Sequence, residues 1–183
     1  MNKGFESFLR DVEAQSLPPV DQWQPQHEGK IDLNIDSQGL WYYQGTVFQR
    51  NKLVKLLASI LGLDEAGNYF LISPVEKLYI QVADVPFVVL GAECDQTSKM
   101  RNVILETNVG EKTMLNSTHR WELREYRDQL IPYVEIRSGL FARVSRTVYY
   151  QLVEWCEESI QGNIRVFGFW SNDCFFSLGE VTW

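Results

Sequence analysis

Two stretches far apart in this chain carry the same succession of residues, and that recurrence limits the folds open to it. From Ile31 the sequence alternates: Ile31, Leu33 and Ile35 are apolar, and Asp32, Asn34 and Asp36 between them are polar. Period-two alternation is the signature of a strand with one face buried. Ser37-Gln38-Gly39 reads as a turn and Leu40-Trp41-Tyr42-Tyr43 as the returning strand. Leu53, Leu56, Leu57, Ile60 and Leu61 follow at helical spacing with Gly62 behind them, which predicts a helix over residues 49 to 61. In the second stretch Val134, Ile136, Ser138, Gly139, Leu140 and Phe141 match Leu33, Ile35, Ser37, Gly39, Leu40 and Trp41. Thr147-Val148-Tyr149 matches Thr46-Val47-Phe48, ahead of a second helix carrying Tyr149, Leu152, Val153 and Cys156. Val166 to Trp170, Ser171 and Phe175-Phe176 then match Tyr69 to Ile72, Ser73 and Leu78-Tyr79. The correspondence needs gaps, so it reads either as an internal duplication or as chance similarity between two hairpin-helix-hairpin units. Duplication is the expectation, and residues 31 to 73 and 133 to 171 should then share one order of strands and helix.

Around these stretches Tyr69 to Ile72, Lys77 to Val82, Pro86 to Leu90 and Asn102 to Thr107 read as further strands. At the N-terminus Phe5, Phe8, Leu9 and Val12 fall at i, i+3, i+4 and i+7, which makes residues 4 to 15 a short amphipathic helix. Pro18, Pro19 and Pro25 hold residues 16 to 28 extended as a linker. The class expected is α+β: an N-terminal helical arm and linker over residues 1 to 28, a first half over 29 to 96 and a second over 97 to 183.

Charge and residue counts remove whole classes of function. Seventeen basic against 24 acidic residues leave a net charge of −7, which a phosphate backbone repels, so no nucleic-acid polymer is an expected partner. The longest apolar stretch, about Phe87 to Leu90, is far short of the roughly 20 residues that cross a bilayer, so no membrane insertion is expected. Met1 to Ser7 holds no apolar signal core, and the location expected is cytoplasmic. Cys94, Cys156 and Cys174 are widely spaced and read as reduced thiols.

Catalytic and metal templates find little to match. His27 and His119 have no second histidine at ligand spacing. Asp32-x-Asn34-x-Asp36 imitates the start of a calcium loop, but Ser37 stands where glycine is needed and Tyr43 where a bidentate glutamate is needed. Those polar residues read instead as the wet face of a strand. There is no G-x-G-x-x-G, phosphate loop or G-x-S-x-G. No metal and no cofactor is expected, and an enzyme ranks below a binding module. Glu154, Glu157 and Glu158 read as a solvated face, and Trp121 to Asp128, alternating in sign, as an exposed edge strand or a short helix.

One group of residues suits an anionic ligand. Arg143 and Arg146 bracket Ser145 where the second helix begins, and a helix start offers free N–H groups and partial positive charge. The first copy has Tyr43 through Thr46 there, without arginine, so Arg143 and Arg146 form a candidate phosphate clamp. The competing explanation is an ion pair with a local acid such as Glu135. Lys77 and Asn108 lie in polar interruptions at strand ends, where loops present ligand contacts, although turn chemistry explains Lys77 equally well and Asn108 better. Tyr43 or Tyr149 could stack on a ring.

Gly39-Leu40-Trp41-Tyr42-Tyr43, Ser73-Pro74-Val75-Glu76-Lys77, Glu106-Thr107-Asn108-Val109-Gly110, Pro132-Tyr133-Val134, Tyr149-Tyr150-Gln151-Leu152-Val153 and Trp170-Ser171 through Phe175-Phe176-Ser177-Leu178-Gly179 form an ordered series. From about Ile31 to Gly179 that series resembles the bacterial DUF1285 family of unknown function. The resemblance implies a duplicated α+β core and a second half loosely similar to pleckstrin-homology folds. It also implies a nucleotide-like ligand between the halves in a signalling role. The function expected is therefore a non-enzymatic regulatory module that binds a small anionic, nucleotide-like molecule between its halves. The alternative is a protein-protein interaction module with no small-molecule ligand.

Overall fold

The computed structural model describes residues 20 to 95, 101 to 161 and 164 to 181. The expected helical arm over residues 4 to 15 lies outside the described residues, as do residues 16 to 19 of the linker. Its described part contains a 3-10 turn at Val20–Gln22, and the first strand already begins at His27. The chain divides into two units, Met1–Pro86 and Phe87–Trp183.

The first unit runs β1 (His27–Ile35), β2 (Trp41–Tyr43), β3 (Thr46–Val47), α1 (Asn51–Ser59), β4 (Leu61–Leu63), β5 (Tyr69–Ile72) and β6 (Glu76–Val82). All six strands join one sheet in the order β3-β2-β1-β6-β5-β4. Every neighbour pair is antiparallel except β1 with β6, whose parallel pairing needs the intervening elements as its crossover. Leu33, Ile35, Trp41, Leu57, Ile60 and Leu71 are buried as its core. The alternation read from Ile31 is visible here, with Leu33 and Ile35 inward and Asp32 exposed. Asp36 ends the strand, and its carboxylate accepts from the Gln38 and Leu40 amides at 2.8 and 2.9 Å and from the Tyr42 hydroxyl at 3.1 Å. This acid braces a hairpin.

The second unit runs β7 (Phe87–Asp95), β8 (Asn102–Thr107), β9 (Lys112–Met114), β10 (Trp121–Tyr126), β11 (Gln129–Arg137), β12 (Leu140–Val144), α2 (Arg146–Glu154), β13 (Glu157–Gln161), β14 (Ile164–Ser171) and β15 (Cys174–Val181). A six-stranded sheet has the order β10-β11-β12-β7-β8-β9, and β13-β14-β15 form a second sheet. Trp121 locks the two together: its ring packs edge-on to Phe169 and Phe176, and its Nε1 donates to the Ser177 carbonyl at 2.7 Å. The buried Ser171 hydroxyl adds a polar stitch, accepting from the Val103 amide at 2.9 Å and donating to the Leu115 carbonyl at 2.7 Å. Helix α2 is tied to β7 by Gln151, whose side-chain amide donates to the Ala92 carbonyl at 2.8 Å.

The fold is mostly β with two described helices, and the order hairpin, helix, strands recurs in both units. Each helix is followed by a three-stranded meander, where the sequence predicted a returning hairpin. The pairing differs between the units. In the first, β6 returns to lie on β1; in the second, β10 takes that side of β11, and β15 ends as a sheet edge among the described residues. A strand has two edges, so once β12 and β10 flank β11 no place is left for β15.

Two expected boundaries shift. The units divide after Pro86 and not after residue 96, because β7 pairs with β12 and β8 and so belongs to the second sheet. Helix α1 spans Asn51–Ser59, inside the predicted 49 to 61, since Leu61–Leu63 is drawn into pairing with β5. Strand β10 forms the edge expected of Trp121 to Asp128. Cys94, Cys156 and Cys174 are free thiols. Among the described residues no helix is long and apolar enough to cross a membrane.

Candidate functional site

Strand β12 ends at Val144, and the next residue, Ser145, turns the chain into α2 from an extended conformation (φ −69°, ψ 156°). Its hydroxyl accepts from the Val148 amide at 3.4 Å, so one of the free N–H groups at the helix start is already satisfied. At the start of α1 the corresponding residue is Arg50, which makes no side-chain cap.

Arg146 is the first residue of α2 and is exposed. One turn on, its Nη2 donates to the Tyr150 hydroxyl at 3.3 Å, with the guanidinium 5.6 Å from the ring centroid. Tyr150 meets Tyr149 edge-on at 5.9 Å. These three residues, with Val144 and the β10–β11 hairpin residues Gln129, Leu130 and Ile131, line a hollow of about 280 Å³. A cation and two phenol rings on one wall, facing the hairpin residues, can hold a molecule that carries an anionic group on a flat body.

The other predicted residues are placed elsewhere. Arg143 and Val144 are successive in β12, so their side chains leave opposite faces of the sheet, and Val144 lines the hollow. Arg143 is buried, stacked on Tyr126 with its guanidinium 4.1 Å from the ring centroid. Glu135, the acid offered as a competing partner, receives the Arg120 Nε at 2.6 Å and the Gly139 amide at 2.6 Å. Burial alone would raise its pKa, but the Arg120 and Gly139 hydrogen bonds and the Arg120 charge outweigh that and hold it below the usual carboxylate value. Glu135 thus braces the second hairpin as Asp36 braces the first.

Asn108 is bound to Val88 in both directions: its amide donates to the Val88 carbonyl at 2.8 Å, and its side-chain oxygen accepts the Val88 amide at 3.0 Å. With Gly110 at φ 77° closing the same turn, this is the turn chemistry that competed with a ligand role. Tyr43 belongs to β2 and stacks on Phe48 at 6.4 Å. Lys77 belongs to β6, with its ammonium 4.5 Å from the Phe70 centroid, 5.0 Å from the Tyr79 centroid and 3.7 Å from Glu28 Oε1. The hydrogen bond with Tyr79, helped by the Glu28 charge, raises its pKa against the opposing effect of burial. Lys77 is therefore a partnered cation. A hollow of about 550 Å³ in the same unit, lined in part by Lys30, Asn68, Tyr69, Tyr79 and Gln81, does not include Lys77 in its lining.

Of the six predicted residues, Arg146 and Tyr149 share a site. Val144, Tyr150, Leu130, Gln129 and Ile131 complete it and were missed. Tyr150 could have been found from its i+4 spacing to Arg146 on one helix face, but nothing local marks the hairpin residues. Among the described residues no group of histidine, cysteine and carboxylate side chains could hold a metal ion.

Comparison with known proteins returns two family-level matches. Residues 18 to 85 match "Domain of unknown function (DUF1285), N-terminal domain", and residues 86 to 178 match "Protein of unknown function (DUF1285), C-terminal domain". The junction of the two matches lies one residue before the division between the structural units. No curated protein matches the chain. The crystal structure of a DUF1285 family protein from Silicibacter pomeroyi DSS-3 is similar at 33% identity and a TM-score of 0.82, over 94% of this chain and 93% of that one. One from Shewanella baltica OS155 is similar at 31% identity and a TM-score of 0.52, over 68% of this chain and 91% of that one. With both family domains matched in order along most of its length, the chain belongs to the DUF1285 family.

Proposed function

We propose that this chain is a non-enzymatic regulatory module of the cytoplasm that binds a small anionic ligand, nucleotide-like in joining a phosphate to a flat ring. The observation that carries the reading is the exposed Arg146 at the capped start of α2, in one hollow with Tyr149 and Tyr150. Arg146 would meet the phosphate through charge-assisted hydrogen bonds, worth roughly 1.5–3 kcal/mol. Tyr149 or Tyr150 would stack on the ring, adding about 0.5–1.5 kcal/mol. The hollow, about 280 Å³, lies just below the roughly 300 to 1,000 Å³ of ligand sites, so it would hold part of such a molecule. Cys156, which lines a neighbouring groove with Tyr149, has its thiol pKa pushed up by burial and is itself poorly suited to act as a nucleophile.

We infer further that the two units descend from one hairpin-helix-meander ancestor and that the second, loosely akin to pleckstrin-homology folds, specialised for the ligand by acquiring Arg146. Thermal shift against a panel of nucleotides and inorganic phosphate tests the function. A nucleotide at 100 times its Kd should stabilise the protein by about 2.7 kcal/mol. Arg146→Ala should then weaken binding by about tenfold to hundredfold, the worth of such hydrogen bonds, with its own Tm unchanged. No shift with any compound, or an equal shift in the variant, defeats the proposal. The protein-interaction reading would then take precedence, favoured by the exposed Leu130, Tyr150, Val153 and Phe167 of the second unit.

A further inference from the structure

Strand β11 runs three residues past the point where its partner β12 stops, and what it exposes there faces the hollow at Arg146. Tyr133 pairs with Arg143, so the same register sets Pro132 beside Val144 and would set Leu130 beside Arg146. By then β12 has ended at Val144 and the chain has turned into α2, with the Ser145 amide donating to the Val89 carbonyl of β7 at 3.1 Å. The place that a longer β12 would fill opposite Leu130 is the hollow, whose lining includes both Leu130 and Arg146.

In an antiparallel ladder the N–H and C=O groups of successive residues turn to opposite sides. The Glu135 amide donates to the Arg120 carbonyl at 2.8 Å, on the β10 side, so Tyr133, Ile131 and Gln129 turn their main-chain groups to β10 as well. The turn agrees: Arg127 and Asp128, at φ 52° and 61°, make a two-residue loop of the kind closed by a hydrogen bond between its flanking residues, Tyr126 and Gln129. Leu130 therefore turns its N–H and C=O the other way, into the hollow. Among the described residues no strand stands there to receive them. The opening is too short for a peptide strand or a second copy to pair with, because Gln129 and Ile131 face β10 and Pro132 has no N–H. One donor beside one acceptor, with a cation near them, suits a small molecule instead.

We propose that the main chain of Leu130 reads the edge of the ligand's flat ring, its N–H donating to a ring acceptor and its C=O accepting from an adjacent N–H. This role rests on the anionic-ligand reading of the same hollow and narrows the ligand. The ring is a heterocycle with a hydrogen-bond donor beside an acceptor, as a nucleobase carries on its edge, and not a plain aromatic ring. Tyr149 or Tyr150 takes the face of the ring, Arg146 the phosphate and Leu130 the edge. Because main-chain groups make the edge contact, the selectivity survives a change of the Leu130 side chain.

The test is titration calorimetry of the full chain with the 5′-monophosphates of adenosine, guanosine, cytidine and uridine, and with phenyl phosphate, which has the ring and the phosphate without the edge. At least one nucleotide should bind about tenfold or more tighter than phenyl phosphate, and N-methylation of its base-edge donor should remove that advantage. Arg146→Ala should weaken nucleotide and phenyl phosphate alike. Leu130→Pro deletes an N–H that makes no ladder bond and should bring the nucleotide down to the level of phenyl phosphate, whereas Leu130→Ala should keep the preference. If the proline variant does not fold, the Leu130 amide of the parent decides: the nucleotide should slow its hydrogen exchange and phenyl phosphate should not. Equal affinity for nucleotide and phenyl phosphate, an N-methylated analogue that binds as well as its parent, or an unprotected Leu130 amide overturns the role of Leu130 and leaves the Arg146 site standing. Binding of none of the compounds overturns the ligand reading itself, and the role of Leu130 with it.

Discussion

Arg143 lies against the ring of Tyr126, its guanidinium 4.1 Å from the centroid and only 7% of the residue exposed. Two neighbouring arginines are stacked likewise: Arg124 on Phe141 and Tyr133 at 4.1 and 4.9 Å, and Arg120 on Phe141 at 5.0 Å. A cation on an aromatic face gains most when water is excluded, and Arg also buries its aliphatic stem there. Arg143 is accordingly a packing residue, and Arg146, three positions on, is the exposed one.

Their substitutions should therefore separate. Arg143→Ala is expected to cost about 2 kcal/mol or more of folding stability, the worth of a desolvated cation–π contact. Arg146→Ala should stay within about 0.5 kcal/mol, as surface substitutions usually do. Urea unfolding of the two variants beside the parent measures both. Equal midpoints for the two would contradict the burial of Arg143.

The helix starts offer a second comparison. Ser145→Ala removes the hydroxyl that accepts the Val148 amide and should destabilise by about 1 kcal/mol. Arg50→Ser at the uncapped start of α1 should stabilise by a similar order, because it supplies an acceptor and removes a positive charge from the positive end of the helix. Thermal unfolding would show Tm moving in opposite directions for the two.

Two glycines of the β14–β15 hairpin should respond oppositely to alanine. A Cβ on Gly168 would collide with the Phe176 carbonyl oxygen and come within 2.8 Å of the Phe175 ring, and backbone does not give way cheaply. Gly168→Ala should cost about 1–3 kcal/mol, as overpacking does. Gly179→Ala, entering open space, should instead stabilise by roughly 0.5–1 kcal/mol, through the entropy that glycine loses on folding. Chemical denaturation decides the sign of each.

Acid should act on the Glu135–Arg120 pair. Burial pushes the Glu135 carboxyl up, yet its hydrogen bonds and the Arg120 charge bring it below the ordinary value of 4.5 in the folded state. A depressed folded pKa stabilises fully above the unfolded value, and that contribution disappears as pH falls through the folded one. Arg120→Ala leaves burial less opposed and should raise the Glu135 pKa. Less stability should then be lost on acidification, because the folded and unfolded values lie closer together, as followed by urea midpoints between about pH 6 and pH 3, on either side of an ordinary carboxylate. An unchanged profile would show that Arg120 does not hold the carboxylate.

What the amino-acid sequence determined by itself was local. The alternation at Leu33 and Ile35 faces inward as read, Tyr69–Ile72 and Asn102–Thr107 are strands at the expected bounds, and Ser145 caps the helix it precedes. Such features depend on side-chain period, backbone sterics and hydrogen bonds spanning a few residues, which a linear reading contains. The choice of strand partners was decided only in three dimensions. Whether β1 takes β6 or β11 takes β10, and hence whether β15 ends open, depends on which edges remain free once distant segments meet. The unit boundary follows the same cause, since β7 joins the second unit through β12, distant in sequence. So does the hollow at Arg146, whose far wall comes from Leu130 on a hairpin that no helical spacing connects to α2.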